Sequence, residues 1–571
     1  MKKVLSILLT LMMLTASVSA LGETAAPALD ADIIIVGAGG AGMIAAMYAV
    51  DAGASVILIE KTSNAGGNTN RASGGVDAAG TALQAAAGIE DSAEQWAQDM
   101  LRVGKVNDME LVEFFTAQSA AAIEFCEAIG FEFSPKIQIQ YNDPPRSHRD
   151  AQNRSVGLVL VPLLLEQLEK RGIEIRYNEQ ATALLQDASG RVNGVHVATK
   201  NGEKDYHANA VILATGGFGG NAELIAEYAP QFTGYGTTGQ ATNTGDGMLM
   251  AQAIGAELIN MDGVAAVSVE KKTGTAPGVT VTRQGGITFN SAGKLIALEG
   301  MLDDKVTWMV YNITTYETAP TLETYHVNGV VTEGETIREL AEKIGVDPDA
   351  MEESLAIYDA AYKNGQYENG TAITANVNIA ETGPYYAMSY GNAIHYTCGG
   401  IKINVDTQVI DTEGNVIPGL YAAGETTGGL HGTSRYTGSS ITDVLVFGRV
   451  AGEKASAEAL ALGHVEVVSA EGTAEAVELP AGSLKDGVYS ASAVGMQGPL
   501  TLTAVVENGN VVSIDYEGKE TEVLWAAVER EMFPAVIAAQ SVEGVDTVTG
   551  ATFASNAVLA AMSDIFAQAA Q

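Results

Sequence analysis

The chain has 571 residues, of which 31 are lysine or arginine and 69 are aspartate or glutamate, so its formal net charge is −38. This charge excludes a nucleic-acid binder that works through phosphate contacts, and it argues against docking on an anionic membrane surface. The length suggests two to four domains at roughly 150 residues each, and the hydrophobic share of 47% argues against disorder in the bulk of the chain. The two cysteines, Cys126 and Cys398, allow one disulfide at most and exclude a thiolate metal cluster.

The N-terminus has the pattern of a targeting segment. Lys2 and Lys3 precede an apolar run at 4–14, and small residues follow up to Ala20. This order of segments is typical of a secretory signal peptide at 1–20, which is removed after export. The run is too short to span a bilayer comfortably, and an uncleaved N-terminal anchor is the alternative. We therefore expect a protein that is secreted, on the cell surface or periplasmic.

A dinucleotide site is predicted at the start of the mature chain. A strand at 32–36 runs into Gly37, Gly39 and Gly42, and a helix follows at 43–53. In this spacing the first glycine permits the tight turn, the second lets the backbone approach a pyrophosphate, and the third allows close packing of helix and strand. A second strand at 55–59 ends at Glu60, whose carboxylate can accept ribose hydroxyls. The pyrophosphate is expected at the helix N-terminus.

Further glycine-rich segments favour a flavin over a dissociable nicotinamide. A second glycine-rich loop, at 66–75, follows Glu60 closely. A strand at 210–214 ends in Thr215 and Gly216, and another near Leu420 ends in Gly424 and Glu425. Ligands of open α/β sheets lie outside the carboxyl ends of strands. We therefore predict an α/β fold whose distant strand ends converge on one large, buried cofactor.

The motifs now in view resemble the flavoprotein family of soluble fumarate reductases, which includes urocanate reductase, the succinate dehydrogenase flavoprotein and L-aspartate oxidase. The resemblance runs from about residue 32 to 460 and rests on VGAGGAG, EK, GGNT, ILATGGFGGN at 212–221, TGDG at 244–247, HYTCGG at 395–400 and GLYAAGETTGGLHGTSRYTGSSITD at 419–443. It implies a Rossmann-like FAD-binding domain at 21–240 and 386–464, with an inserted α+β capping domain at 241–385. The substrate is expected between the two domains.

The resemblance also implies noncovalent FAD and a set of residues that contact it. Beyond Gly37, Gly39 and Gly42, the expected FAD contacts are Ala41, Glu60, Lys61, Asn68, Thr69, Gly74, Gly75, Ala181, Thr215, Gly216, Asp246, Gly424, Glu425, Ser440 and Ile441.

A second cofactor is predicted at the C-terminus. Residues 465–482 are rich in Ala, Glu, Ser and Gly and are typical of a linker. Strands are predicted at 487–492, 500–506 and 511–516, with a tight turn at Asn508-Gly509 and a helix at 555–567. The segment DTVTGAT at 546–552 is either a polar turn or, by resemblance, the flavinylation signature of FMN-binding domains. The resemblance implies a small α+β domain at 483–571 and FMN joined to Thr552 by a flavin transferase, with Thr549, Gly550 and Ala551 around it.

Two flavins in one chain suggest an electron relay. An extracytoplasmic or membrane donor would reduce FMN, FMN would reduce FAD, and FAD would pass a hydride to a small unsaturated molecule. Residues 472–571 hold thirteen acidic and three basic residues, a net charge of −10. This acidity either favours a basic donor or marks a solvated surface.

The substrate residues follow the family only in part. Arg435, in the H-G-x-x-R motif at 431–435, matches the arginine that clamps a substrate carboxylate. His395 and Tyr396 fall where the family has His-His or His-Tyr. The arginine that donates a proton in the family is replaced by Asp303. The Q-x-H-P-T segment, which carries a clamp histidine, is missing at 266–270. Arg283 resembles an arginine of the proton-delivery chain.

We therefore expect a reductase that does not use fumarate and binds at most one substrate carboxylate, at Arg435. The proton would come from Asp303 or from Tyr396, unless Asp303 instead pairs with a donor group of the substrate. No metal site is expected, and His148 is predicted in a loop. Two alternatives stay open: a dehydrogenase or oxidase that desaturates a small acid or ketone, and an electron carrier without substrate turnover. The FMN-binding domain argues against an enzyme that uses oxygen directly.

Overall fold

The computed structural model describes residues 28–570 apart from 140–142, 274–280, 283, 297–306, 320–321, 466–483, 495–498, 519–521, 543 and 549–551. In these residues the strands are β1 (Ala31–Val36), β2 (Val56–Glu60), β3 (Val76–Asp77), β4 (Ser147–His148), β5 (Ile175–Tyr177), β6 (Glu179–Gln186), β7 (Val192–Thr199), β8 (Gly202–Leu213), β9 (Gly236–Thr237), β10 (Leu258–Ile259), β11 (Val264–Glu270), β12 (Ile287–Asn290), β13 (Leu295–Ile296), β14 (Thr307–Asn312), β15 (Val331–Gly334), β16 (Tyr385–Thr397), β17 (Gly400–Ile401), β18 (Gln408–Ile410), β19 (Val416–Ala422), β20 (Gly487–Val494), β21 (Pro499–Glu507) and β22 (Asn510–Gly518). The α-helices are α1 (Gly40–Asp51), α2 (Ala82–Ala86), α3 (Ala93–Gly104), α4 (Met109–Ala128), α5 (Val156–Lys170), α6 (Ala222–Tyr228), α7 (Asp246–Ala253), α8 (Ile313–Thr318), α9 (Glu323–Val327), α10 (Ile337–Ile344), α11 (Pro348–Asn364), α12 (Ser439–Leu462), α13 (Glu522–Ala539) and α14 (Thr552–Ala569).

The first sheet has the order β18-β19-β8-β1-β2-β5, and all its neighbouring strands are parallel except the edge strand β18. Every residue of β1 is buried, because helices cover both faces of such a sheet. Helix α12 packs against α1, and Gly452 makes the approach possible, since a Cβ there would lie 2.4 Å from the carbonyl oxygen of Ala45. The predicted α/β class and the strand–turn–helix–strand start are confirmed.

Two predicted boundaries in this region are corrected. Helix α1 begins at Gly40 rather than at residue 43, because the glycine turn itself forms the first helical turn. Strand β8 begins at Gly202 rather than at 210, because its polar first half pairs with β7 in an antiparallel hairpin. Its apolar second half continues into the parallel sheet beside β1.

The second sheet has the order β11-β16-β14-β12-β13, and β15 and β9 also pair with β16. Apolar side chains between this sheet and helices α10 and α11 form a separate core that includes Phe289, Leu340 and Tyr358. Strand β16 runs from Tyr385 to Thr397, past the predicted domain boundary at 385, so its last residues belong to this sheet by pairing with β11. That continuity carries the end of β16 to the edge of the first sheet.

The C-terminal unit is a three-stranded antiparallel sheet, β20-β21-β22, with α13 and α14. Its core includes Leu502, Trp525, Val558 and Ile565, separate from the core of the first sheet. The predicted small α+β unit is confirmed. The strands are longer than predicted, since the pairing continues to Val494 and Gly518.

Among the described residues, none of the helices is long and apolar enough to cross a membrane. Cys126 and Cys398 are both free and buried. His148 was predicted in a loop but lies fully buried in β4, where it pairs with Val76, because its ring nitrogens bond the backbone of Arg146 and the hydroxyl of Thr81.

Candidate active site

The glycine turn after β1 has the geometry of an anion cradle. Gly37 has φ +103, and a Cβ there would lie 2.5 Å from the carbonyl oxygen of Ala214. A Cβ at Gly42 would lie 1.9 Å from the carbonyl oxygen of Gly37, whereas one at Gly39 would meet nothing within 4 Å. Gly39 is also the N-cap of α1 and has no side chain with which to cap it. Beside Gly39 the N-terminus of α1 therefore opens onto free space, as pyrophosphate binding requires.

Glu60 lies at the end of β2, beside this turn. Its carboxylate accepts hydrogen bonds from the backbone N–H of Ala38 at 3.0 Å and of Thr62 at 2.9 Å. Burial raises the pKa of Glu60, although these hydrogen bonds oppose the shift. Close by, the Lys61 ammonium donates to Asp246 at 2.8 Å and to Thr244 at 2.9 Å. The carboxylates of Glu60 and Asp246 are therefore held in fixed positions at the edge of the sheet where the cofactor is expected.

Glu425 connects the predicted glycine-rich loop and the predicted strand end near Leu420 with the end of β16, which the sequence did not indicate. It accepts from the side chain of Asn68 at 2.8 Å and from the backbone N–H of Thr397 at 3.1 Å. Thr215, after β8, lies 3.0 Å from the hydroxyl of Thr426. Burial raises the pKa of Glu425. The glycine-rich loop, the end of β16 and the end of β19 are therefore held together at one edge.

Most of the other predicted FAD contacts lie around this edge. Thr69 accepts from the backbone N–H of Gly40 at 3.2 Å. Gly75 packs against His148, while Gly74 faces open space. Ser440 and Ile441 lie in the first turn of α12, which has Gly438 as its N-cap and no side-chain cap. The remaining predicted contacts are Ala41 in α1, Ala181 in β6, Gly216 after β8 and Gly424 after β19.

The predicted substrate residues Arg435, His395 and Tyr396 are brought together beside Glu425. The Arg435 guanidinium lies over the Tyr396 ring, 4.9 Å from its centroid, and its buried Nε has no hydrogen-bond partner among the described residues. The hydroxyl of Thr238 lies 2.8 Å from Nδ1 of His395. Surrounding protein and the charge of Arg435 lower the pKa of His395 to about 4. A neutral imidazole and a guanidinium with a free N–H suit a carboxylate or a polarised carbonyl.

Two buried residues next to this group were missed from the sequence. The Tyr396 hydroxyl donates to Asp443 at 3.3 Å, and Nε2 of His431 lies 3.5 Å from the same carboxylate oxygen. Burial raises the pKa of Tyr396 and lowers that of His431. His431 lies inside the H-G-x-x-R motif that pointed to Arg435, so that motif was the available signal. Asp443 carried no comparable signal, because its partner precedes it by 47 residues.

Asp77 is the third residue that the sequence did not mark. Its side chain is fully buried at the end of β3, and neither carboxyl oxygen has a hydrogen-bond partner among the described residues. A Cβ on Gly438, at the start of α12, would lie 2.2 Å from Oδ1 of Asp77. Burial raises the pKa of Asp77 to about 7, and the nearby Ser147 hydroxyl, followed by the charges of Arg435, Arg146 and Arg149, opposes that shift.

The structure does not test some of the predicted residues. Asp303 and Arg283 lie outside the described residues, as do Thr549, Gly550 and Ala551. Thr552 is the first residue of α14, and its side chain is also outside the description. The proposed proton donor Asp303 and the FMN attachment site therefore stay predictions, as do the predicted signal peptide and linker.

Known protein families match both the FAD-binding part and the C-terminal part of the chain. A family model for the FAD binding domain matches residues 32–441, and one for the FMN-binding domain matches residues 495–567. A probable fumarate reductase of Shewanella frigidimarina is 32% identical over 450 residues, which cover 76% of both chains. The urocanate reductase of Eggerthella lenta is 34% identical over 461 residues, which cover 75% of both. The chain belongs to the fumarate and urocanate reductase family. It is thus an FAD-dependent oxidoreductase of the kind that acts on carbon–carbon double bonds.

Solved structures of this family and its neighbours share the fold. The open conformation of a flavocytochrome c3 fumarate reductase gives a TM-score of 0.71 at 32% identity and covers 76% of this chain and 80% of that chain. A 3-ketosteroid dehydrogenase from Rhodococcus jostii gives a TM-score of 0.60 at 25% identity, covering 76% and 99%. The open space at Gly39, at the start of α1, and the fixed Glu60 fit the FAD of a fumarate and urocanate reductase. The described C-terminal unit is consistent with an FMN-binding domain.

Proposed function

We propose that the protein is an extracytoplasmic reductase of small unsaturated molecules that carry at most one carboxylate. The chemistry that the two flavins supply when bound is the transfer of electrons from an external donor through FMN to FAD, and then of a hydride to a carbon–carbon double bond. The observation that carries the proposal is the grouping of Arg435, His395 and Tyr396 at the edge where Glu425 joins the strand ends. Relatives support the reaction class, since their names include reductases of fumarate, urocanate and acrylate.

The residues around Arg435 bind and orient the substrate in this proposal. Arg435 holds the carboxylate through a planar fork of N–H donors, which bind a carboxylate bidentately. His395 stays neutral over the physiological range, because its pKa is about 4. It therefore adds a hydrogen bond but no second positive charge. Among the described residues this group presents one guanidinium, that of Arg435, which favours a monocarboxylate over a dicarboxylate.

Two residues are candidates for the acid that protonates the second carbon of the double bond, the one that does not receive the hydride. Tyr396 lies under Arg435, and its hydroxyl donates a hydrogen bond to Asp443, so this hydroxyl must turn toward the substrate to act as an acid. Asp303 replaces the family's donor arginine in the sequence. The variants Tyr396→Phe and Asp303→Asn separate the two, because loss of the donor lowers turnover while FAD content stays constant.

The reaction direction is tested anaerobically. Photoreduced protein is mixed with acrylate, urocanate and other unsaturated acids, and the oxidised protein is mixed with the saturated counterparts. Reoxidation by the alkenes supports a reductase. Bleaching of the oxidised flavin by saturated acids or ketones supports the second candidate, a desaturating dehydrogenase, which the likeness to a ketosteroid dehydrogenase favours. If neither mixture changes the flavin spectrum, substrate turnover is refuted and the chain is an electron carrier.

We also propose that FMN is held covalently by Thr552 after transfer by a flavin transferase. The start of α14 at Thr552 supports this, because helix N-termini favour phosphate groups. The chain is co-expressed with a flavin transferase, denatured and weighed by mass spectrometry. A flavin adduct in the wild type and in Thr547→Ala, but not in Thr552→Ala, is the expected result. An adduct that survives in Thr552→Ala overturns the assignment.

A further inference from the structure

The FMN-binding unit touches the FAD-binding unit through helix α13. The Arg530 guanidinium lies over the ring of Tyr177, 3.9 Å from its centroid, and Nη2 of Arg530 donates to the carbonyl oxygen of Ser63. The neighbouring Glu531 accepts from the side chain of Asn178 at 3.3 Å. Two consecutive residues of α13 therefore contact two separate segments of the other unit.

Both contacted segments flank Glu60. Ser63 follows Glu60 by three residues in the loop that leads to Gly66 and Gly67. Tyr177 is paired with Glu60 in the register of β2 and β5. Glu60 in turn accepts the backbone N–H of Ala38 in the glycine turn. Arg530 thus holds the loop that connects the proposed ribose carboxylate with the second glycine-rich turn.

Arg530 is one of the few positive charges in the acidic C-terminal region. Residues 472–571 carry thirteen acidic and only three basic residues, Lys485, Lys519 and Arg530. Two acidic units repel each other unless a cation lies at their contact. Arg530 lies there, and a guanidinium stacked on an aromatic ring and bonded to a carbonyl oxygen suits such a place better than an ammonium would.

We propose that Arg530 couples the docking of the FMN-binding unit to the binding of FAD. While α13 is docked, Arg530 and Tyr177 restrict the 61–67 loop to the conformation that receives the adenosine end of FAD. By linkage, bound FAD strengthens the docking of α13 by the same factor. Arg530 acts through the loop and is a positioning residue. The inference rests on the proposed FAD site and adds a role that the site alone does not require.

The first test is FAD titration of the full-length apoprotein. Arg530→Ala and Tyr177→Ala are each expected to raise the Kd for FAD about five- to tenfold, the range of a partly desolvated cation–π contact. The double variant is expected to bind FAD little more weakly than Arg530→Ala alone, because that single variant already removes the contact with Tyr177. Arg171→Ala is the matched control, since Arg171 forms an ion pair with Asp51 on the same unit, and its Kd is expected to equal that of the wild type.

The second readout is hydrogen–deuterium exchange, which does not depend on turnover. FAD is expected to slow exchange in peptides of α13 (residues 522–539) in the wild type and in Arg171→Ala, but not in Arg530→Ala. Equal Kd values in wild type and Arg530→Ala, or equal protection of α13 in both, overturn the coupling. Failure of the wild type itself to bind FAD refutes the proposed function instead, so the two failures are distinguishable.

Discussion

Arg435 is the residue on which the proposed substrate preference depends most. Its fork of N–H donors and its stacking on Tyr396 both follow from a planar guanidinium, which lysine lacks. We predict that Arg435→Lys lowers kcat/KM for a monocarboxylate alkene about 10- to 150-fold, the equivalent of ~1.5–3 kcal/mol for a charge-assisted hydrogen bond. FAD content is the control and stays unchanged. Steady-state assays with a reduced viologen measure the effect, and a loss below threefold contradicts the clamp.

Asp77 gives a pH-dependent prediction. Its folded-state pKa of about 7 lies above the unfolded value of about 3.9, so the folded state binds the proton more tightly. The stabilisation from that proton is complete below about pH 4 and is lost as the pH rises through 7. The Asp77→Asn variant has no carboxyl group to titrate at this position, so it does not show this loss of stability with rising pH. We therefore expect the Tm of the variant to gain on the wild type between pH 4 and 7 and the gain to level off above.

Thermal unfolding of both forms at pH 4.5, 6, 7 and 8 measures this difference. Asp32→Asn serves as the comparison, because Asp32 is equally buried but bonds Ser55 and His464. A constant difference in Tm between Asp77→Asn and wild type across this range would show that Asp77 is not held protonated.

Among the secondary-structure elements, the turn between β1 and α1 contains glycines that are needed for two different reasons. Gly42 is needed by the fold, because a Cβ there meets the carbonyl oxygen of Gly37. Gly39 is needed only by the ligand, since its φ of −73 suits any residue and its Cβ position is empty. We predict that Gly39→Ala keeps the wild-type Tm of the apoprotein but weakens FAD binding at least tenfold. Gly42→Ala is expected to lower the Tm itself.

Differential scanning fluorimetry of the apoproteins and FAD titration separate these two outcomes. Gly53→Ala, at a positive φ with no neighbour within 4 Å, controls for backbone strain alone. Unaltered FAD affinity in Gly39→Ala would contradict a pyrophosphate at this turn.

The sequence predicted the elements that local patterns determine. The strand–turn–helix unit and Glu60 followed from short-range spacing, because hydrophobic periodicity and glycine positions are local. Contacts between distant elements left no such trace. Tyr396 meets Asp443 across 47 residues and Arg530 meets Ser63 across 467. The length of β16 was also missed, because the predicted domain boundary at 385 assigns all of this strand except its first residue to the other domain.

At the scale of the whole molecule, the net charge of −38 opposes the compact state through self-repulsion. Salt shortens the screening length from about 30 Å at 0.01 M to about 8 Å at 0.15 M. We therefore predict that the Tm rises by several degrees between these ionic strengths. Sodium chloride and sodium acetate are compared, so that screening is separated from the binding of one anion. A Tm that falls with both salts contradicts this account.

In the proposed function, this member of the fumarate and urocanate reductase family holds the single carboxylate of its substrate at Arg435 and reduces monocarboxylate alkenes. The most direct test is stopped-flow reoxidation of the anaerobically reduced, FAD- and FMN-loaded protein by acrylate, urocanate and fumarate in parallel. We predict that a monocarboxylate reoxidises the flavin with a second-order rate constant at least tenfold above that of fumarate. Fumarate as the fastest oxidant would contradict it.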